Sequence, residues 1–316
     1  MSFLAQAPRA LEYALIAVFC LLVFASTTIA LLARRYPHKN WLELKLRIRT
    51  WWWIVVVFVL AISVNRTVSL LVLSFVSFLA FKEYLTLVPT RREDHMPLFW
   101  AYLAIPVQYF WIWDGWYGMF IIFIPVYIFL FLPMRMVLIG ETRGFLHAAS
   151  SLHWGLMTTV FSLSHMAYLL VLPTDATGSM KGNGPMLVLY LVALTQLNDV
   201  AQYLWGKALG KAKIIPKVSP NKTIAGFVGG AATTTLLGWL LGPVLTPMSP
   251  LYAATAGLLI GVTGFIGDVV MSGLKRDLGV KDTGDLLPGH GGILDRLDSL
   301  TYTAPLFFHY LRYLYY

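Results

Sequence analysis

Cysteine and charge are both scarce in this chain. Cys20 is the single cysteine among 316 residues, so no intramolecular disulfide forms and no zinc cluster of thiolates assembles. Charged residues make up 12%, where an ordinary soluble domain has about a quarter. With 58% hydrophobic residues, that shortage makes a polytopic membrane protein the expectation, and nothing marks a soluble second domain. Several motifs are missing too. HExxH and the dinucleotide glycine fingerprint are absent. Gly206-Lys207 and Gly210-Lys211 invite a P-loop reading, but that motif needs four residues between its glycines and Ser or Thr after the lysine. Here three residues separate Gly206 from Gly210, and Ala212 follows Lys211. The net charge of +9 reads as basic cytoplasmic loops, so no nucleic-acid partner is expected.

Long apolar runs are what the chain does have, near 11–33, 51–64, 67–88, 97–113, 117–138, 153–173, 185–206, 223–246, 250–274 and 299–316. A spanning helix needs about 20 residues, range roughly 17–25, and the second and last runs are short by that measure. The expectation is an all-α polytopic transmembrane bundle of nine or ten spanning segments. Residues 1–184 supply N-terminal helices and 185–316 the C-terminal helices with the motifs, as one integral-membrane unit. Lys and Arg cluster after alternate runs, so ten segments put about twenty of the 24 on one side. That side is the cytoplasm, with both termini outside.

Local readings follow. The loop at 34–53 gives little support for an interfacial amphipathic helix, and its Trp triplet at 51–53 fits an aromatic belt. Glu83 ends the third run as a surface partner of Lys82 or Arg91. Pro106 and Pro125 kink their helices, Asp114-Gly115 makes a short turn, and 173–185 is a flexible linker. His153 and His165 lie about three turns apart, too far to share a metal, and read as packed histidines. Gly257, Gly261, Gly264 and Gly267 allow close helix packing.

The stretch 267–299, GDVVMSGLKRDLGVKDTGDLLPGHGGILDRLDS, departs from this background. So many ionisable groups beside apolar helices are costly unless they face water, each other or a charged ligand. If the ninth helix continues to Arg276, Asp268, Ser272 and Lys275 or Arg276 share one face. Asp295 and Asp298 share a face of a helix beginning near Ile293 and could hold a hard cation. The glycines of 288–292 let the backbone turn sharply and approach a ligand closely. A solvated loop with incidental ion pairs is the alternative. A second polar segment, 197–230, weighs against it. Asn198 and Asp199 sit inside an apolar run, where an acid is expensive. Ser219 or Thr223 can cap the helix from Ile224 and offer backbone N–H groups to an anion.

Together these segments resemble the CDP-diacylglycerol synthase (phosphatidate cytidylyltransferase) family. The family signature has the form S-x-x-K-R-x4-K-D-x-[GSA], a spacer, then P-x-H-G-G-x-x-D-R-x-D. Here it reads Ser272, Lys275, Arg276, Lys281, Asp282, Gly284, Pro288, His290, Gly291, Gly292, Asp295, Arg296 and Asp298. Residues 219–223, SPNKT, resemble the family's upstream S-P-x-K-T. The family follows that motif with Trp-Glu-Gly, whereas Ile224 and Ala225 precede Gly226 here.

The resemblance implies reaction of CTP with phosphatidic acid, giving CDP-diacylglycerol and pyrophosphate, in a protein of the bacterial inner membrane with its site facing the cytoplasm. It implies Mg2+, with a second cation allowed, on Asp268, Asp295 and Asp298. Lys275, Arg276, Lys281 and Arg296 would neutralise phosphates. Asp282 and His290 would orient ligands or shape the loop, and Asp199, Ser219, Lys222, Thr223 and Ser272 would hold substrate. Partners are CTP, phosphatidic acid and membrane lipid, and a homodimer is allowed. The rival readings are a CTP-dependent lipid kinase, a substrate-shifted paralogue, and a transporter or scaffold.

Overall fold

The computed structural model describes residues 9–38, 40–173, 183–289 and 291–316. Among them every regular element is helical. In chain order they are α1 (Arg9–Arg35), α2 (Leu42–Ser63), α3 (Arg66–Leu87), α4 (His95–Asp114), α5 (Tyr117–Ile122), α6 (Phe129–Val137), α7 (Phe145–Leu156), α8 (Ser162–Leu169), α9 (Gly184–Leu209), α10 (Ile224–Leu245), α11 (Pro250–Asp277), α12 (Leu294–Leu297) and α13 (Leu300–Tyr315). Wide turns at Phe123–Ile128 and Met157–Phe161 join α5 to α6 and α7 to α8. Seven helical segments among the described residues are long and apolar enough to cross a membrane. The protein is an all-α polytopic membrane bundle.

Local chemistry sets the ends of these helices. The Asn65 side chain accepts from the Val68 N–H (2.9 Å) and starts α3, and Gly115, at φ 80°, ends α4 as the Asp114-Gly115 turn. Pro106 lies inside α4, while Pro125 lies in the wide turn, where a missing N–H is least costly. Residues 174–182 of the linker read at 173–185 lie outside the described residues, and Gly184 and Pro185 begin α9.

One boundary differs from expectation. The second run read as short, yet α2 is 22 residues long because residues 42–50 join the helix. Arg47 and Glu43 bridge at i, i+4 (2.5 Å), and the charged side chains of this turn stay in water while the helix continues. The basic, Leu-rich stretch and the span are therefore one rod.

α9, α10 and α11 form the tightest packing. A Cβ on Gly257 would sit 2.5 Å from the Thr234 carbonyl, and one on Gly238 2.7 Å from the Ala253 carbonyl. Small residues are what let these backbones touch. Asn198 then stitches the three helices: it donates to the Gly261 carbonyl (3.2 Å) and accepts from Thr234 (3.0 Å). α13 closes the group beside α8 and α11. α1 lies at the rim with Leu21 and Phe24 exposed, a face that meets lipid tails in a bilayer.

Candidate active site

Two helices, one turn and one loop deliver the polar residues to one place. Asp199 comes from α9, Asp268 from α11, and Asp298 from the turn between α12 and α13. Ser299 donates to Asp199 at 3.3 and 3.2 Å. Lys222 pairs with Asp268 and donates to Gln202 Oε1 at 3.0 Å. Ser272 faces Asp268 Oδ1 at 3.3 Å, as the one-face spacing predicts. Close approach makes this possible: a Cβ on Gly267 would lie 2.6 Å from the Asp298 carbonyl. Burial, the repulsion of Asp268 and the repulsion of Asp199 push the Asp298 carboxyl up to about 8. Three acids with one paired ammonium form an electron-rich pocket that favours a cation. Among the described residues, no three His, Cys, Asp or Glu side chains lie close enough to cage an ion unaided.

Asp295 behaves differently from the other three. Its Oδ1 takes the Lys275 ammonium at 2.7 Å, and its Oδ2 takes the N–H of Thr283 (2.8 Å) and of Gly292 (3.0 Å). Burial opposes its charge, but these donors and the Lys275 charge hold the carboxyl below its ordinary value. A group so neutralised has less left for a cation than the open three. Glu83 is its partner in this, and it lies buried where a surface position was expected. It is 9% exposed, accepts from the Ile293 and Leu294 N–H groups (2.8 and 2.9 Å), and caps the start of α12 from α3. The Thr283 hydroxyl lies between the two carboxylates, 2.5 Å from Glu83 Oε1 and 3.0 Å from Asp295 Oδ2. Arg91, one of the two expected partners of Glu83, pairs with Asp94 instead (2.7 Å). The available signal was a lone acid inside the apolar FLAFKEYLTL.

The signature glycines now have causes. Gly289 and Gly291 have φ of 79° and 81°, and a Cβ on Gly292 would overlap Glu83 Oε1 at 2.0 Å. At Gly291 and Gly292 the close approach is to the chain's own carboxylates, and at Gly289 it is to Arg47 and Leu46 of α2. Helix α2 holds the loop from the other side: Thr50 donates to the Pro288 carbonyl (2.8 Å) and Arg47 to that of Gly289 (3.2 Å). Thr223 caps α10 by accepting from the Gly226 N–H at 3.1 Å, and half-buried Ser219 sits in the preceding turn. Arg276 turns outward and donates to the Val218 carbonyl (3.3 Å), tying that turn to α11. Lys281 and Asp282 are exposed on the loop. His290 lies outside the described residues.

His165 is buried and bonded to the Phe161 carbonyl (2.8 Å), far from this site in role: a packed histidine.

The sequence pattern of the cytidylyltransferase family matches residues 45–314. Over 303 residues the chain is 50% identical to Uncharacterized protein YnbB of Escherichia coli strain K12, covering 96% of this chain and 99% of that protein. It is also similar to Phosphatidate cytidylyltransferase of Staphylococcus aureus strain COL, with 43% identity over 136 residues, 40% of this chain and 49% of that enzyme. The enzyme of the same name from Bacillus subtilis strain 168 is 41% identical over 125 residues, 39% of this chain and 46% of its own length. The chain thus spans about half the length of these two named enzymes in the matched region.

Proposed function

This chain belongs to the cytidylyltransferase family, and we propose that it converts CTP and phosphatidic acid to CDP-diacylglycerol and pyrophosphate at the cytoplasmic face of a bacterial inner membrane. The observation that carries the reading is the convergence of Asp199 and Asp268, from within the apolar helices α9 and α11, with Asp298 beside Lys222. Nucleotide is water-soluble and the acceptor is a lipid, so such a site belongs where helices meet water.

In the reaction, an oxygen of the lipid phosphate attacks the α-phosphorus of CTP. A new P–O bond forms as the bond to the bridging oxygen breaks, and pyrophosphate leaves with that electron pair. The attacking oxygen is already anionic near neutral pH, so no strong base is required. Catalysis rests on positioning and on neutralising phosphate charge. Lys222, Lys275 and Arg296 would do this for the phosphates, and Thr223 with the first N–H groups of α10 would face the nucleotide.

The donor set fits Mg2+, which is usually held by one or two carboxylates with substrate phosphates and waters completing its shell. Asp268 and Asp298 would hold it, with Asp199 alongside, and Asp295 would support the loop instead. When bound, the ion supplies further charge neutralisation at the phosphates. Arg276, Lys281, Asp282 and Ser219 would act at the rim.

The test uses purified protein with Mg2+, a panel of phospholipids and alcohols, and CTP labelled at the α- or the γ-phosphorus. The expected result is α-label in the lipid with release of pyrophosphate. Label from the γ-position would make it a lipid kinase, and no label with any acceptor would favour a transporter or scaffold. A second reading, transfer to a different lipid phosphate, is favoured by one observation: Ile224 and Ala225 stand where the resembled motif carries Trp-Glu, in the first turn of α10. The same panel decides between the two acceptors.

A further inference from the structure

A groove of about 510 Å³ opens between α1, α2 and the signature loop. Its size suits a ligand site, which spans roughly 300–1,000 Å³. Ile29 of α1 and Leu44, Ile48 and Trp51 of α2 make an apolar wall, and Arg47 and Arg296 stand at its polar side with Gly289. Thr50 and Arg47 bond to the loop carbonyls, so this wall is fastened to the signature loop. Two further facts indicate what the groove is for. The Nε of Arg296 is buried without a hydrogen-bond partner. Buried guanidinium donors are normally satisfied, and a phosphate is the acceptor whose geometry matches their fork. Arg47 holds Glu43 only across an exposed surface bridge, which is worth little and is readily exchanged for a stronger anion.

We propose that this groove seats the lipid acceptor, with its phosphomonoester between Arg47 and Arg296 and an acyl chain along Ile29, Leu44, Ile48 and Trp51. The inference rests on the reading above, since it names where that reaction's lipid lies. Charge complementarity and the apolar wall together select an anionic amphiphile. A free nucleotide would leave the wall unused, and a neutral lipid would leave the buried Nε of Arg296 without an acceptor. Arg296 precedes Asp298 by two residues at the end of α12, so a headgroup held here borders the open carboxylates. The exposed side of α1, with Leu21 and Phe24, lets the rest of the chain pass into the bilayer.

The test uses the full chain in phosphatidylcholine nanodiscs containing phosphatidic acid with a diazirine in one acyl chain. After irradiation, label should concentrate in peptides covering 25–29 and 44–51. Unlabelled phosphatidic acid should compete, and inorganic phosphate or added phosphatidylcholine should not. Arg47→Glu should cut this label about tenfold, Arg47→Lys should retain most of it, and in turnover Arg47→Glu should raise KM for lipid about tenfold with KM for CTP within about twofold. Because Arg47 also holds the loop, Ile48→Trp provides a second variant. It fills the groove without changing a charge and should give the same selective loss. Label spread evenly over other lipid-facing positions such as Leu71 and Leu236, competition by inorganic phosphate alone, or no change in either variant would overturn the proposal. Labelling needs no turnover. Groove label without CDP-lipid formation would sink the reaction and keep the groove, and CDP-lipid formation with evenly spread label would do the reverse.

Discussion

Asp295 and Asp298 sit one helical turn apart and live in opposite surroundings. Asp295, with Glu83 beside it, is closed: N–H groups, a shared hydroxyl and the Lys275 ammonium occupy their oxygens. Asp298, with Asp199 and Asp268, is open: each acid faces the others, and Lys222, Ser272 and Ser299 only partly offset them. The same side chain therefore does two jobs. A carboxylate given donors fixes backbone, and a carboxylate given neighbours of its own sign creates a demand for a cation. Burial alone does not distinguish the two, since both groups are largely removed from water. The donor count does.

Removing one open acid should have the largest effect on chemistry. Asp268→Asn or Asp298→Asn should lower CDP-lipid formation by about 10³-fold, on the scale seen when a group stabilising phosphoryl-transfer charge is lost. Neither should lower the unfolding temperature of protein kept in chelator, because each relieves repulsion. Asp298→Asn with wild-type turnover would break the comparison at its root. A closed acid should behave the other way. Asp295→Asn strips Lys275 of its counter-charge, and breaking a buried pair costs about 3–5 kcal/mol. The measurement is urea or thermal unfolding in detergent, and a variant as stable as wild type would show that the closed group is not structural.

How much of this could be read beforehand depends on the range of the contact. The helical bundle was legible because apolar runs declare themselves over twenty residues. The Asp268–Ser272 face was legible because i, i+4 is a local rule, and Thr223 as a cap for the same reason. Asp298 was legible by the same kind of local rule, as the i, i+3 partner of Asp295 on a helix beginning near Ile293. What stayed hidden was long-range. Nothing near Glu83 in sequence points to Ile293 and Leu294, two hundred positions away. The pairing of Lys275 with Asp295 was hidden by the same distance, so Asp295 was grouped with the cation ligands. The start of α2 was obscured because alternating Leu, Lys and Arg fits no single apolar face.

Glu83→Gln sharpens the comparison with a smaller change. The shape is kept, but one carboxylate oxygen becomes an NH2 that faces the Ile293 or Leu294 N–H. An unsatisfied buried donor costs about 1–3 kcal/mol. Because Glu83 sets the entry to α12 and thus the place of Asp298, activity should fall roughly 10–100-fold, as for groups that orient a ligand from behind. Glu83→Asp, which keeps the charge and shortens the reach, should recover part of it. If Glu83→Gln lowers stability and leaves turnover untouched, the closed group supports the fold without positioning the open one.

The smallest effect is also the most direct reading of the two environments, because it should change sign between them. Asp295 has a folded value below the ordinary one. Its contribution to stability is present above the unfolded value of about 3.9 and is lost as pH falls through the folded value. Asp298 has a folded value raised to about 8. Its contribution is full below about 3.9 and is lost as pH rises toward that folded value. In chelator, the unfolding temperature of Asp298→Asn relative to wild type should therefore climb between about pH 5 and 8. The deficit of Asp295→Asn should be constant over that window and shrink only below about pH 4. Adding Mg2+ should flatten the Asp298 curve, since a cation removes the repulsion that raised its carboxyl, and should leave the Asp295 curve where it was. Two curves of the same sign, or an Mg2+ effect on Asp295 equal to that on Asp298, would mean that all four aspartates form one group and that the division into closed and open acids is wrong.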